Sequence, residues 1–244
     1  WLDGLYMVMP FYAEYETKYD KKEKYNDIIS QFENVQERMY DKEKGLCYHG
    51  YDEARVQFWA DSQTGCSASF WLRSMGWYLM ALVDTAEGIS VEIYEQYRKL
   101  VDIYRLLIKG MLGYRDKESG LFYQVIDKGG TEGNYTETSG SLMVAYSILK
   151  ACRMGILLKE KYASVGMEIL EAVMAQRLEE RDGQVHLTGI CHAAGLGPED
   201  NPVRDGSLAY YLSEQVGEDD SKAAGVLMMA YAQYVRLKVE MEQE

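Results

Sequence analysis

An eight-residue turn recurs along this chain. Asp41-Lys42-Glu43-Lys44-Gly45-Leu46-Cys47-Tyr48 and Asp116-Lys117-Glu118-Ser119-Gly120-Leu121-Phe122-Tyr123 agree at six of eight positions. An acidic residue that opens a turn and a glycine that relaxes it are the composition of a tight reversal. A third stretch, Arg181-Asp182-Gly183-Gln184-Val185-His186, falls where a further copy is due and reads as a degenerate hairpin. Two helix-patterned stretches lie between each turn and the next. Such units cannot bury their apolar faces alone, so they stack on their neighbours in a solenoid or toroid.

The helical stretches follow from periodicity. Ile28, Ile29, Phe32, Val35 and Met39 recur at helical spacing, as do Leu100, Val101, Tyr104, Leu107 and Ile108. Seven helices are expected, near 4–16, 26–40, 69–87, 91–113, 138–156, 159–180 and 221–241. The only prolines are Pro10, Pro198 and Pro202, which leaves long stretches without a helix breaker. Lys44-Gly45 and the residues after it predict a short hairpin, and a long loop is expected at about 187–220. The class is therefore all-α, with short hairpins at helix connections. In a toroid one end collects the long loops, where sites are built.

Charge narrows the partners. Lysine and arginine total 26 against 39 acidic residues, a net charge of −13. That excludes a nucleic-acid partner, which needs basic patches, but not a small anionic ligand held by one or two arginines. No apolar run reaches the roughly 20 residues of a membrane span. Cys47, Cys66, Cys152 and Cys191 form no CxxC pair and read as reduced thiols, which places the protein in the cytoplasm. His49, His186 and His192 are little material for a metal. Cys191-His192 and Cys47 with His49 hint at zinc ligands, but the other motifs do not fit a zinc site. No metal or cofactor is expected. The chain opens Trp1-Leu2-Asp3-Gly4 with no signal-peptide pattern, and this is expected not to be the natural start.

One stretch carries a ligand-binding pattern. Gly65-Cys66-Ser67-Ala68-Ser69-Phe70-Trp71-Leu72-Arg73-Ser74-Met75-Gly76-Trp77 supplies a loop glycine, capping serines, an arginine and two indoles. A helix starting near Ser69 puts Arg73 and Trp77 one turn apart on one face. Trp71 then lies roughly 200° around the axis from Arg73, and joins it only from an irregular first turn. An indole stacks on a sugar face and a guanidinium grips a carboxylate with two parallel bonds. The same residues serve equally well as core and an internal ion pair. Asp3 sits in an N-cap position before the first helix.

Trp1-Leu2-Asp3-Gly4-Leu5-Tyr6-Met7, His49-Gly50-Tyr51-Asp52-Glu53, Phe70-Trp71-Leu72-Arg73-Ser74-Met75-Gly76-Trp77, Glu137-Thr138-Ser139-Gly140 and Arg204-Asp205-Gly206-Ser207 together resemble the unsaturated rhamnogalacturonyl hydrolases. These form glycoside hydrolase family 105, related to the unsaturated glucuronyl hydrolases of family 88. The resemblance runs the length of the chain in the family's order. It implies a six-hairpin (α/α)6 barrel and an enzyme of pectin degradation. That enzyme removes a 4,5-unsaturated galacturonyl residue from rhamnogalacturonan oligosaccharides by hydrating the vinyl ether, not by the usual pair of flanking carboxylates.

Carried over on the same motifs, the resemblance implies Asp3 as the catalytic acid, its pKa raised by apolar neighbours. It implies His49, Trp71, Arg73, Trp77 and Arg204 as substrate contacts. Asp52 reads as a loop acceptor, and Glu137 and Ser139 as either caps or cleft residues. A complete barrel has twelve helices, whereas seven are expected here and the catalytic motif falls at Asp3. Residues 1–244 therefore read as a single domain, the C-terminal two-thirds of a barrel, without the family's second active-site acid. Two consequences are expected: self-association through the open barrel edge, and weak or absent turnover. The alternative function is an impaired fragment that binds acidic sugars without hydrating them.

Overall fold

The computed structural model describes residues 1–90 and 92–243. Eight α-helices occur among them: α1 (Gly4–Tyr19), α2 (Tyr25–Arg38), α3 (Leu72–Gly88), α4 (Tyr94–Leu112), α5 (Thr138–Arg153), α6 (Lys159–Arg177), α7 (Leu208–Ser213) and α8 (Ser221–Gln243). Seven match the expected helices, although Val91, at the expected start of the fourth, lies outside the described residues. The eighth, α7, is a six-residue helix inside what the sequence presents as a long loop.

The helices pack in two layers. α1, α3, α5 and α8 stand side by side, each touching the next, and α2, α4 and α6 pack behind them. Burial reports the layering. α2 and α4 bury one stripe each, Tyr25, Ile28, Ile29, Phe32 and Val35 on the first and Leu100, Val101, Ile103, Tyr104, Leu107, Ile108 and Met111 on the second, as outer helices do. α3 and α5 are enclosed on almost every side, and Thr138 to Cys152 are all buried. Enclosure there takes in charge. Lys150 of α5 is buried because its Nζ meets Asp84 Oδ1 of α3 at 2.8 Å, and the Tyr146 hydroxyl donates to the same carboxylate at 2.8 Å. A buried ammonium persists only when it is paired in this way.

The helices at the two ends of the inner row behave differently. α1 packs Leu5, Tyr6, Met9 and Ala13 on the core, yet exposes Met7, Val8, Phe11, Tyr15 and Tyr19. α8 exposes Met228, Tyr231, Val235 and Val239. A helix that is apolar on both faces is built to be covered on both.

The repeated turns share one chemistry. Asp41 Oδ1 accepts from the Glu43 and Lys44 amides, and Asp116 Oδ2 accepts from the Ser119 amide. Gly45 and Gly120 close the two turns at φ +69° and +73°, values an L side chain resists. The first turn carries the expected hairpin, β1 (Tyr40–Asp41) with β2 (Leu46–Cys47). The third is a full hairpin and not a degenerate one. β3 (Leu178–Arg181) pairs in register with β4 (Gln184–Leu187) across Asp182-Gly183, both at positive φ. That pairing ends α6 at Arg177, short of the expected 180. In the long loop, β5 (Ile190–Cys191) pairs with β6 (Val216–Gly217).

The helix expected to start at Ser69 starts at Leu72, with Trp71 extended at φ −84° and ψ 128°. Tertiary bonds hold the preceding residues straight. The Ser69 carbonyl accepts from the His49 amide, the Phe70 carbonyl from Ile126, and the Ser69 hydroxyl donates to the Gly206 carbonyl.

Candidate active site

The starts of the inner helices meet at one end of the fold. A ladder of main-chain bonds ties them together. The Leu2 amide donates to the His49 carbonyl, His49 to Ser69, Leu72 to Gln124, and Glu137 to Phe122. The residues before α3 and α5 are extended, so their side chains are aimed by the ladder and not by helix geometry, whereas the residue before α1 is already helical. Asp3, Trp71 and Glu137 hold these positions before α1, α3 and α5.

Asp3 does not cap α1. Its backbone is already helical and its carboxylate makes no cap bond. The side chain turns to His49 instead, with Oδ1 3.7 Å from Nε2. His49 is fully buried, and its Nδ1 lies 2.6 Å from the Tyr211 hydroxyl. Trp1 and Trp71 flank the imidazole at ring-centre distances of 5.9 and 4.8 Å. Asp3 Oδ1, His49 Nε2 and Trp71 Nε1 are buried and make no hydrogen bond within the described residues. Buried polar atoms are ordinarily satisfied, so three that are not, gathered around one imidazole, mark where a polar ligand fits.

Burial pushes the Asp3 carboxyl up, but the adjoining His49 pulls it down, and the net direction is below the ordinary 3.8. The expected upward shift is thus reversed. Burial pushes the His49 imidazole below 6.5 against the opposing pull of Asp3. At neutral pH the pair is a carboxylate facing an uncharged imidazole.

The two arginines have different roles. Arg73 is buried and its polar atoms are taken up by the scaffold. Its Nε donates to Ser139 Oγ at 2.9 Å, Nη1 to the His192 carbonyl at 3.4 Å and Nη2 to the Cys191 carbonyl, and Nη2 lies 3.6 Å from Glu137 Oε1. The guanidinium stands 5.3 Å from the Trp71 ring centre. The irregular first turn thus does bring Trp71 beside Arg73, but Arg73 braces the scaffold and offers no free fork to a ligand carboxylate. Glu137 completes the brace. It caps α5 by accepting from the Ser139 and Gly140 amides, and it also accepts from the Cys191 amide. Arg204 is half-buried, and its guanidinium makes no hydrogen bond or ion pair among the described residues. It faces Trp1 across Gly195, where an added Cβ would stand 3.0 Å from the Trp1 ring and 3.3 Å from Arg204 Nη1.

The remaining expected residues separate. Trp77 stacks on Tyr6 of α1 at 4.6 Å and, among the described residues, makes no ring contact with the Asp3 group. Asp52 accepts from the Ala54, Val56 and Gln57 amides and organises its own loop. Cys191 is buried behind Arg73, and burial pushes its thiol up to about 11. Tyr211 was not among the expected site residues. A signal for it was present: Ser207 caps α7 by accepting from the Tyr210 amide, and the capped helix carries Tyr211 to His49. Trp1 belongs to the Trp1–Met7 motif, and the resemblance implies no role for it.

The sequence pattern of Glycosyl Hydrolase Family 88 matches residues 1–238. Protein Atu3128 of Agrobacterium fabrum is 40% identical over 240 residues, which is 95% of this chain and 99% of that protein. A family 105 glycoside hydrolase of C. acetobutylicum superposes with a TM-score of 0.92 at 38% identity, over 97% of this chain and 65% of that one. An unsaturated glucuronyl hydrolase specific for heparin superposes at 0.71 with 13% identity, over 97% of this chain and 59% of that one, a likeness of fold alone. The two helical layers are thus part of the six-hairpin glycosidase fold. The chain spans nearly the whole length of its curated relative, and under two-thirds of the solved ones.

Proposed function

We propose, on the premise that this chain belongs to glycosyl hydrolase family 88, that it removes a 4,5-unsaturated galacturonyl residue from rhamnogalacturonan oligosaccharides. The observation that carries this reading is the group of unpartnered buried atoms, Asp3 Oδ1, His49 Nε2 and Trp71 Nε1, beside the exposed Trp1 indole and the Arg204 guanidinium, which makes no hydrogen bond or ion pair among the described residues. That combination suits a polar, anionic ring. Trp1 offers it a stacking face and Arg204 a fork for its carboxylate.

The chemistry is hydration of a vinyl ether. A proton passes from Asp3 to C4 and leaves an oxocarbenium shared by C5 and the ring oxygen. Water adds its oxygen to C5 and returns a proton to the Asp3 carboxylate, so the residue ends as it began. The hemiketal opens and the leaving sugar departs from the freed C1. Asp3 needs its proton at the first step, whereas the adjoining His49 holds its carboxyl below the ordinary 3.8. A bound uronate supplies the correction: its own carboxylate and the loss of water both raise the Asp3 pKa.

The second reading is an acidic-sugar-binding protein without turnover, favoured by the low direction of the Asp3 pKa. Asp3→Asn separates the two. In the hydrolase, loss of the ultraviolet absorbance of the conjugated acid slows by about 10²- to 10⁴-fold, while binding of the unsaturated oligosaccharide by calorimetry persists. Binding without turnover in the unsubstituted protein supports the second reading. Equal turnover in both proteins removes Asp3 from the mechanism.

Two further proposals accompany this one. The exposed apolar faces of α1 and α8 pair with a second copy of the chain. The four free cysteines, all buried, suit a cytoplasmic setting.

A further inference from the structure

We propose that Tyr211 is a positioning residue: its hydroxyl donates to His49 Nδ1 and so fixes the single imidazole proton on Nε2, facing Asp3. The geometry carries this. The Tyr211 hydroxyl and Nδ1 are 2.6 Å apart, both inside the protein, and the His49 nitrogen is the hydroxyl's only hydrogen-bond partner among the described residues. A phenol proton buried there has one acceptor, the Nδ1 lone pair. If Nδ1 carried the proton instead, the phenol proton would be stranded, and the Nε2 lone pair would face the Asp3 carboxylate across 3.7 Å. Two lone pairs of like polarity would then be opposed. With Nδ1 as acceptor, both conflicts vanish together.

The surrounding packing keeps the hydroxyl from turning away. The Tyr211 ring stacks on Trp71 at 6.1 Å and lies 5.2 Å from Tyr210. The Tyr211 carbonyl accepts from the Gln124 side chain at 2.7 Å, and its amide donates to the Ser207 carbonyl. Burial also holds the hydroxyl far above its usual pKa, so it keeps its proton. His49 is thereby a fixed donor toward Asp3 and toward any ligand oxygen between them. The Tyr211 hydroxyl is engaged by His49 Nδ1, on the side of the imidazole opposite Asp3, so Tyr211 acts through His49.

Nitrogen-15 NMR of the intact chain tests this without substrate, and the outcome is independent of the proposed hydration. Only three histidines need assignment. The expected spectrum at neutral pH shows a one-bond N–H doublet at His49 Nε2 and none at Nδ1. It also shows a slowly exchanging Tyr211 hydroxyl proton coupled to Nδ1. Asp3→Ala is expected to leave this pattern intact, because Tyr211 and not Asp3 sets it. In Tyr211→Phe the hydroxyl signal disappears and an Nδ1–H population emerges. With an unsaturated oligosaccharide, which rests on the reading above, kcat of Tyr211→Phe falls roughly tenfold with KM little changed, as for other partners that orient an active histidine. A proton on Nδ1 in the unsubstituted protein overturns the assignment. So does loss of the Nε2 proton in Asp3→Ala alone.

Discussion

Replacing Arg73 by methionine separates a residue that binds ligand from one that holds the scaffold. Methionine keeps much of the volume and removes the charge and the donors. The side chains of Arg73 and Glu137 are 3% and 1% exposed, so solvent cannot take over either role. Breaking a buried pair by removing one partner costs about 3–5 kcal/mol. Glu137 keeps the Ser139, Gly140 and Cys191 amides and the Ser139 hydroxyl as donors, which puts the expected loss at the lower end, about 3 kcal/mol. For a chain of this size that lowers the melting temperature by roughly 6–12 °C. Urea denaturation of Arg73→Met, Glu137→Gln and the double variant gives the coupling, expected at about 1–3 kcal/mol because both residues share one network. A variant that loses under about 1 kcal/mol while abolishing oligosaccharide binding, with no coupling to Glu137, refutes the brace and returns Arg73 to the ligand.

Three other substitutions test the remaining structural claims. His49 is held below 6.5, so the unfolded chain takes up a proton that the folded chain refuses. Stability should therefore fall as pH drops through 6.5 toward the lowered folded value, by up to about 1.4 kcal/mol per pH unit, and urea titrations of His49→Gln should lack that component. Below 3.8 the depressed Asp3 carboxyl adds a further loss of the same sign. Phe11→Glu, in the middle of the exposed face of α1, should convert a self-associated species into a monomer by sedimentation velocity, and an unchanged mass rules out that face as the contact. Gly110→Ala should cost about 1–3 kcal/mol by overpacking. Its Cβ would stand 2.3 Å from the Gly45 carbonyl oxygen, a backbone atom with no rotamer to adopt, and an unaltered melting curve would show that the first turn does not seat on α4.

The fold was largely legible because its signals are local. Asp41 and Asp116 accept from amides two or three residues ahead, and Gly45 and Gly120 adopt the positive φ those turns require. The stripes of α2 and α4 repeat at 3.6 residues whatever they pack against. Legibility stopped where a distant strand or loop overruled local preference. Ser69 and Phe70 would serve as the start of a helix, but bonds to His49, Ile126 and Gly206 keep them extended. Leu178 to Arg181 would continue α6, but pair with β4.

The candidate site divides in the same way. Asp3, His49, Trp71 and Arg204 could be singled out from the sequence because the motifs that carry them are short and contiguous. The sequence also determined the repeat, the helical layers' apolar stripes and the acidic charge, since each depends on residues within a few positions or on a simple sum. Only the tertiary structure decided what each polar group does. A guanidinium two residues from an indole reads as a clamp, yet Arg73 turned inward because Glu137, Ser139 and the Cys191 carbonyl, far away in sequence, meet it there. The direction of the Asp3 pKa and the role of Tyr211 rest on the same cause. Burial and charge are set by whatever the fold brings within a few ångströms, and His49 meets Tyr211 only when α7 folds across the starts of the inner helices.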